Sequence, residues 1–238
     1  MKLPALLRAP LSEPRRRADL IFLLTVVALL AVVATLTWSG HEIYEAVTEG
    51  DGVAFLDHPV LDLVKRSRTG WLTGVAVALT YAAGRVGLPL LALLVVGVAS
   101  WRRRDWTPAT LMATALAGAL ALTIVGKTAV GRVRPPQELA LPPFETSPAF
   151  PSGHTLNATV LAVVAAYLVL ISARGTTVRV VAILACLTFA LTVGLSRVYL
   201  GQHWLTDVMA GWVLGAAWAL AVAVGHRLWL RFHERRSR

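Results

Sequence analysis

Three short polar stretches interrupt an otherwise oily chain: GKTAVGRVRP (126–135), FPSGH (150–154) and SRVYLGQHWLTD (196–207). Together they supply Lys127, Arg134 and Arg197 as cations, with His154 and His203 as titratable rings. Arginine presents a planar fork of donors that matches phosphate oxygens, and lysine adds a mobile point charge. Ser152 is placed to cap a helix starting at Gly153. The free N–H groups of such a first turn form an anion site, and Gly153 lets the backbone approach a ligand closely. Cations around a helix N-terminus describe a cradle for a tetrahedral anion.

His203 and Asp207 are four residues apart, so on a helix they share one face. An aspartate that accepts the proton of one ring nitrogen fixes the tautomer and leaves the other lone pair free. Such an imidazole can attack phosphorus as a nucleophile. His154 can protonate the leaving alkoxide, then act as base when water hydrolyses the phosphohistidine. Each residue alone has a plainer reading: Ser152 as an N-cap, Asp207 as a first-turn acid, a histidine as a snorkelling polar group. Arg132 reads equally well as a flanking anchor and stays outside the set. The conjunction carries the argument, because charges near a bilayer are costly and gather where function needs them.

The elements that position these stretches follow from composition. Of the 238 residues, 56% are hydrophobic and 15% charged, against about 25% charged in soluble chains. The apolar residues are bunched into runs near the ~20 that cross a bilayer core. The expected fold is an all-α, polytopic membrane bundle of about six spans in one domain. The spans are expected at about 19–38, 86–101, 108–127, 153–172, 178–195 and 205–228. The first is too long for a signal-peptide core and reads as retained. Residues 39–58 read as an outside loop, and 59–82 as an amphipathic helix lying on the membrane, with a tilted extra span as the alternative. Thr107 as N-cap and Pro108 at the first helical position open the third span. The proline-rich segment 128–152 is a loop. Residues 1–18 and 229–238 are then cytoplasmic ends flanking a membrane domain over 19–228. Cys186, the single cysteine, excludes an intramolecular disulfide and reads as a small buried filler.

The net charge of +10 does not point to nucleic acid, because the basic residues gather at the ends of apolar runs. Fifteen of the 23 Lys and Arg fall on segments expected inside, which fits a plasma-membrane protein with both termini cytoplasmic. Of the eight expected outside, Lys127, Arg132, Arg134 and Arg197 are the ones topology leaves unexplained.

Written as Lys127-x6-Arg134-Pro135, Pro151-Ser152-Gly153-His154 and Ser196-Arg197-x5-His203-x3-Asp207, the three stretches resemble the signature of the type 2 phosphatidic acid phosphatase (PAP2) superfamily. Every signature position matches, and the resemblance covers about residues 60–228. That superfamily includes membrane lipid phosphatases, polyprenyl pyrophosphate phosphatases, glucose-6-phosphatase and soluble vanadium haloperoxidases. The resemblance implies a haloperoxidase-like helical core, with His203 as nucleophile, Asp207 as its orienting partner and His154 as acid and base. Lys127, Arg134, Ser152, Gly153 and Arg197 would bind the phosphate, with no metal and no other cofactor. A membrane-embedded chain is similar to the phosphatase branch. The implied substrate is a lipid phosphate at the outer face: undecaprenyl pyrophosphate, which an outward site favours, phosphatidate or phosphatidylglycerophosphate. Membrane lipids are the other expected partners, and nothing in the sequence fixes an oligomeric state.

A competing reading is a non-catalytic lipid or anion transporter on the same fold. Against it, no internal repeat or pair of broken helices is visible, and transport has no need of the His203–Asp207 pair. Metal-dependent hydrolysis with His154, His203 and Asp207 as ligands is opposed by three neighbouring cations.

Overall fold

In hydrocarbon a backbone has no water to bond to, so long apolar runs must satisfy their own N–H and C=O groups as helices. A computed structural model of the chain describes residues 14–236 and shows that outcome. The described residues form α1 (Pro14–Glu49), α2 (Asp57–Arg66), α3 (Gly70–Ala82), α4 (Gly87–Arg103), α5 (Thr107–Val130), α6 (Gly153–Ser172), α7 (Thr176–Tyr199) and α8 (Leu205–Arg236). Two 3-10 turns, Gly52–Leu56 and Gln137–Leu139, complete them, and no strand occurs among the described residues.

Helices α1, α5, α6, α7 and α8 are each long and apolar enough to cross a membrane. Helices α3 and α4 pass that test only as a pair bent by 63°, which gives six spans if the pair counts as one. The stretch expected to span alone at 86–101 is therefore the second helix of a bent pair, a broken span or a re-entrant loop. The break closes around Gly87, where a Cβ would stand 2.2 Å from the Tyr81 carbonyl oxygen.

Other boundaries differ from expectation for local reasons. Residues 39–49 continue α1 instead of forming a loop. Polar residues do not end a helix: His41 and Glu45 pair one turn apart at 3.2 Å, Ile43 and Ala46 are buried, and the helix stops only at Gly50, with φ +75°. Segment 59–82 is not one amphipathic helix but parts of α2 and α3. Both ends of α3 are fastened to the last turn of α7. Thr69 N–H donates to the Tyr199 hydroxyl at 3.0 Å, and Thr80 Oγ1 lies 3.3 Å from Ser196 Oγ. Trp106, not Thr107, is the N-cap residue of α5, and Asp105 Oδ1 accepts the Thr107 N–H at 2.9 Å. Helix α8 runs on without a boundary at 228. Of the expected N-terminal segment 1–18, residues 1–13 lie outside the described residues.

The core forms around α6, half of whose apolar window is buried against 6% for α1. Between lipid-facing helices the forces are close packing and interhelical hydrogen bonds. Helix α8 meets α6 at Gly211 and Gly215, where a Cβ would stand 2.9 Å from Thr155 Cβ and 2.8 Å from the Leu156 carbonyl oxygen. Trp212 and Trp218 of α8 lie over Gly194 of α7 and Gly118 of α5, and donate to the Ala190 and Ala115 carbonyls at 2.9 Å. These contacts fix the register of α8 on α6. At the site end the Ser152 N–H donates to the Asp207 carbonyl at 3.0 Å, joining the first turns of the two helices.

Candidate active site

One end of the bundle collects the polar stretches. Lys127 is in the last turn of α5 and Arg197 in the last turn of α7. Arg134 follows α5, His154 is in the first turn of α6, and Asp207 is in the first turn of α8. His203 is not on a helix: it sits in the turn before α8, beyond Gly201 with φ +67°. It still meets Asp207, because Asp207 Oδ2 accepts the Trp204 N–H at 2.9 Å and lies 3.4 Å from His203 Nδ1.

The other ring nitrogen settles the tautomer. Arg134 Nη1 stands 3.1 Å from His203 Nε2. A guanidinium can only donate, so Nε2 is the acceptor and Nδ1 keeps its proton towards Asp207. Burial, then the nearby Arg134 and Arg197, hold the His203 pKa well below the ordinary value. The ring is neutral at neutral pH, with its lone pair held in reach of the cations.

Those cations surround an anion that the sequence reading did not include. Glu145, from the proline-rich loop, lies 2.7 Å from Arg197 Nη2 and 3.2 Å from His154 Nδ1 through Oε1, and 3.0 Å from Arg134 Nη2 through Oε2. Burial raises its pKa, but Arg197, His154, His203 and Arg134 outweigh that and hold the carboxyl down at about 2. Arg197 is fully buried; its Nη1 donates to Thr80 Oγ1 at 3.3 Å and its Nε has no partner.

The remaining expected ligands sit one step back. Lys127 Nζ donates to the Pro148 carbonyl and, at 3.2 Å, to Ser147 Oγ. The Ser152 side chain does not cap α6; its Oγ accepts from Thr155 Oγ1 at 2.9 Å. Gly153 allows α5 and α6 to approach, since a Cβ there would stand 3.1 Å from Thr123 Cγ2.

The sequence profile of the PAP2 superfamily matches residues 108–231, more than half of the chain. Phosphatidylglycerophosphatase B of Bacillus subtilis (strain 168) is 32% identical over 176 residues, covering 73% of this chain and 84% of that protein. The chain belongs to the PAP2 superfamily. An undecaprenyl-diphosphatase of Sulfolobus acidocaldarius is 32% identical over 160 residues, 65% of this chain and 70% of that one. The crystal structure of a transmembrane PAP2-type phosphatidylglycerolphosphate phosphatase from Bacillus subtilis superposes with TM-score 0.69 at 27% identity, covering 83% of this chain and 93% of that one. Aquifex aeolicus LpxE shares the fold, with TM-score 0.54 at 22% identity over 70% of this chain and 94% of that one.

Behind the PAP2 signature lies a second network. Arg132 bridges two buried carboxylates: its Nη1 donates to Asp207 Oδ1 and its Nη2 to Asp57 Oδ2, both at 2.7 Å. Asp57, the first residue of α2, also accepts the Thr206 N–H at 2.9 Å and the Thr206 hydroxyl at 2.7 Å. Trp204 packs over this pair, 5.7 Å from the Arg132 guanidinium and 4.8 Å from the His58 ring. Arg132 was visible in sequence but ambiguous. Asp57 gave no signal, lying 149 residues from its partner Thr206. Glu145 gave a weak one: it and Glu138 are the only acids between Val130 and His154.

Proposed function

We propose that this chain is a metal-independent phosphatase that removes a terminal phosphate from a lipid phosphate or diphosphate through a phosphohistidine. The observation that carries the reading is the His203 ring: neutral, with Nδ1–H towards Asp207 and Nε2 turned to the cations that hold an anion. In the first step the Nε2 lone pair attacks phosphorus and the bond to the leaving oxygen breaks. His154, which gains its proton only when the phosphate dianion enters beside it, gives that proton to the leaving oxygen from Nδ1, the nitrogen that faces the cradle. In the second step water attacks the phosphohistidine, His154 takes its proton, the P–N bond breaks, and phosphate leaves with His203 restored. Arg134 and Arg197 stabilise the charge that develops on the equatorial oxygens. Lys127 supports from the rim, and Ser152 and Gly153 form the floor at the start of α6. Arg132 and Asp57 position Asp207.

The lipid substrate class rests on the membrane-spanning helices and on the named activities of the relatives. Phosphatidylglycerophosphate and undecaprenyl pyrophosphate are the two substrates those names suggest, and phosphatidate shares their chemistry. The excess of Lys and Arg at the opposite end of the spans favours an outward-facing site in the plasma membrane with both termini cytoplasmic.

The test is phosphate release by the purified protein in detergent with EDTA. The panel holds those three lipids and a soluble phosphate ester, with His203→Ala as control. Release that survives EDTA and is lost in the variant supports the reading. Release that needs an added divalent metal, or that persists in His203→Ala, overturns it. A His154→Ala variant should lose most on poor leaving groups; equal loss on good and poor ones overturns the general-acid assignment.

A further inference from the structure

Glu145 is ionised inside the cradle, yet neither chemical step uses it. Its two oxygens occupy the donors a phosphate needs: Arg197 Nη2, Arg134 Nη2 and His154 Nδ1. A phosphate and this carboxylate cannot hold those donors together, so ligand entry is an exchange of anions. We propose that Glu145 is a tethered competitor that sets a charge threshold, admitting dianionic phosphates and excluding singly charged phosphodiesters. The proposal deepens the phosphatase reading and rests on it only for identifying the cradle as the phosphate site.

Three observations support the exchange. First, the carboxylate leaves a donor unused: Arg197 Nε is buried and has no partner. A terminal phosphate brings three oxygens where a carboxylate brings two, so it can satisfy the donors Glu145 holds and this one as well. Second, the carboxylate has somewhere to go. Glu145 lies on the loop between the 3-10 turn Gln137–Leu139 and α6, lining an open cleft of about 530 Å³ with Arg134, Ser147 and Gln202. Its neighbour Phe144 is 52% exposed, so the Glu145 side chain can turn outward into the cleft while Lys127 and Arg134 hold Ser147 and Pro148 in place. Third, Glu145 keeps the buried Arg197 paired while no ligand is bound, and an uncompensated buried charge is strongly destabilising.

The threshold follows from charge. A phosphate monoester carries about −1.5 to −2 at neutral pH, whereas a diester carries a single charge on two free oxygens, much like a carboxylate. Exchanging Glu145 for a diester therefore gains neither charge nor donors, and the tether keeps the carboxylate at a high effective concentration. Exchanging it for a monoester, or for the end of a diphosphate, gains both. Phosphodiester lipids are the surrounding bilayer itself, so a site open to a membrane needs such a filter.

The experiment compares thermal protection of the full-length protein in detergent by orthophosphate and by dimethyl phosphate, a singly charged diester. Wild type should be protected by orthophosphate and not by dimethyl phosphate at equal concentration. Equal protection overturns the proposal without any variant. Glu145→Gln removes the charge and keeps the size. It should tighten orthophosphate by about ten-fold or more, since the ligand no longer has to displace a tethered anion. It should also acquire dimethyl phosphate binding, and KM should fall more than kcat changes. Glu145→Asp, which keeps the charge, should retain the discrimination. A Glu145→Gln protein that binds orthophosphate no more tightly, or less tightly, makes Glu145 a loop anchor and ends the proposal. A protein that shows the threshold but releases phosphate from no lipid loses the phosphatase reading and keeps the threshold. A working phosphatase without the effect loses the threshold alone.

Discussion

Arg132 and Arg134 stand two residues apart and meet opposite surroundings. Arg132 is shared by two carboxylates, Asp57 and Asp207, with Thr206 closing the ring of donors and acceptors. Acids outnumber bases there, and each carboxylate oxygen has a partner within the protein. Arg134 lies beside Arg197 and Lys127, with Glu145 as the only acid among the described residues in contact with both arginines. With neutral imidazoles the cradle has an excess of positive charge and one unpartnered buried donor. The first cluster is closed and has nothing to offer a ligand. The second is balanced only when a further anion arrives. Near a bilayer, where unpaired charge is costly, an excess of one sign marks the place that awaits its partner.

The sharpest way to break that contrast is to remove the ring proposed to react. His203→Ala should lower phosphate release by about 10⁴-fold or more, because the lone pair proposed to attack phosphorus is lost. Retained turnover would leave the cationic cluster as a mere binding site. Arg197→Lys keeps the charge but loses the fork, and should cost about 10²-fold in kcat/KM. A variant that matches wild type would mean charge alone suffices.

The closed cluster should respond differently. Asp57→Asn leaves the cradle cations untouched, so KM should hold while kcat falls about ten-fold through a loosened Asp207. The thermal midpoint should drop by an amount corresponding to about 3 kcal/mol, the usual scale for breaking a buried ion pair. A raised KM with unchanged stability would place Asp57 in the receptor instead of the scaffold.

The smallest expected effect is on pH dependence. The free-enzyme pKa of His203 is depressed, so the neutral, nucleophilic ring exists at every pH above that low value. Counted per dianionic substrate, whose second pKa is about 6, kcat/KM should therefore hold as pH falls through 6.5, the ordinary histidine value, and decline only below it. Arg134→Gln removes one neighbouring cation and should move this acid limb upward. A limb at or above 6.5 in wild type would show that burial and the cations do not act on the ring as described.

How much of this could be read in advance depends on how local each interaction is. The cradle residues lie in three compact stretches at span ends, so Arg134, Arg197, His154 and His203 could be grouped before any fold was known. The four-residue interval correctly paired His203 with Asp207 but for the wrong local reason. The contact comes from a turn in which Asp207 accepts the Trp204 N–H, and helical periodicity plays no part. The Ser152 cap was inferred from residue type, yet the Thr155 hydroxyl donates to the oxygen that would have done the capping. The bent pair escaped because α4 registered as a span by itself and α3 as an interfacial helix, and a hydropathy pattern carries no angle.

The sequence by itself determined that the chain is a helical membrane bundle and that cations and histidines gather at one end. Span length, charge position and donor chemistry are properties of segments, and segments are visible one at a time. Only the tertiary structure decided that Asp57 reaches Arg132 across the helix order, and that Glu145 turns inward to hold the cradle. Both are pairings of single acids with distant bases, and no periodicity links them. They exist because glycine-mediated packing of α8 on α6 sets the register, and because buried cations recruit whichever carboxylate the loop can deliver.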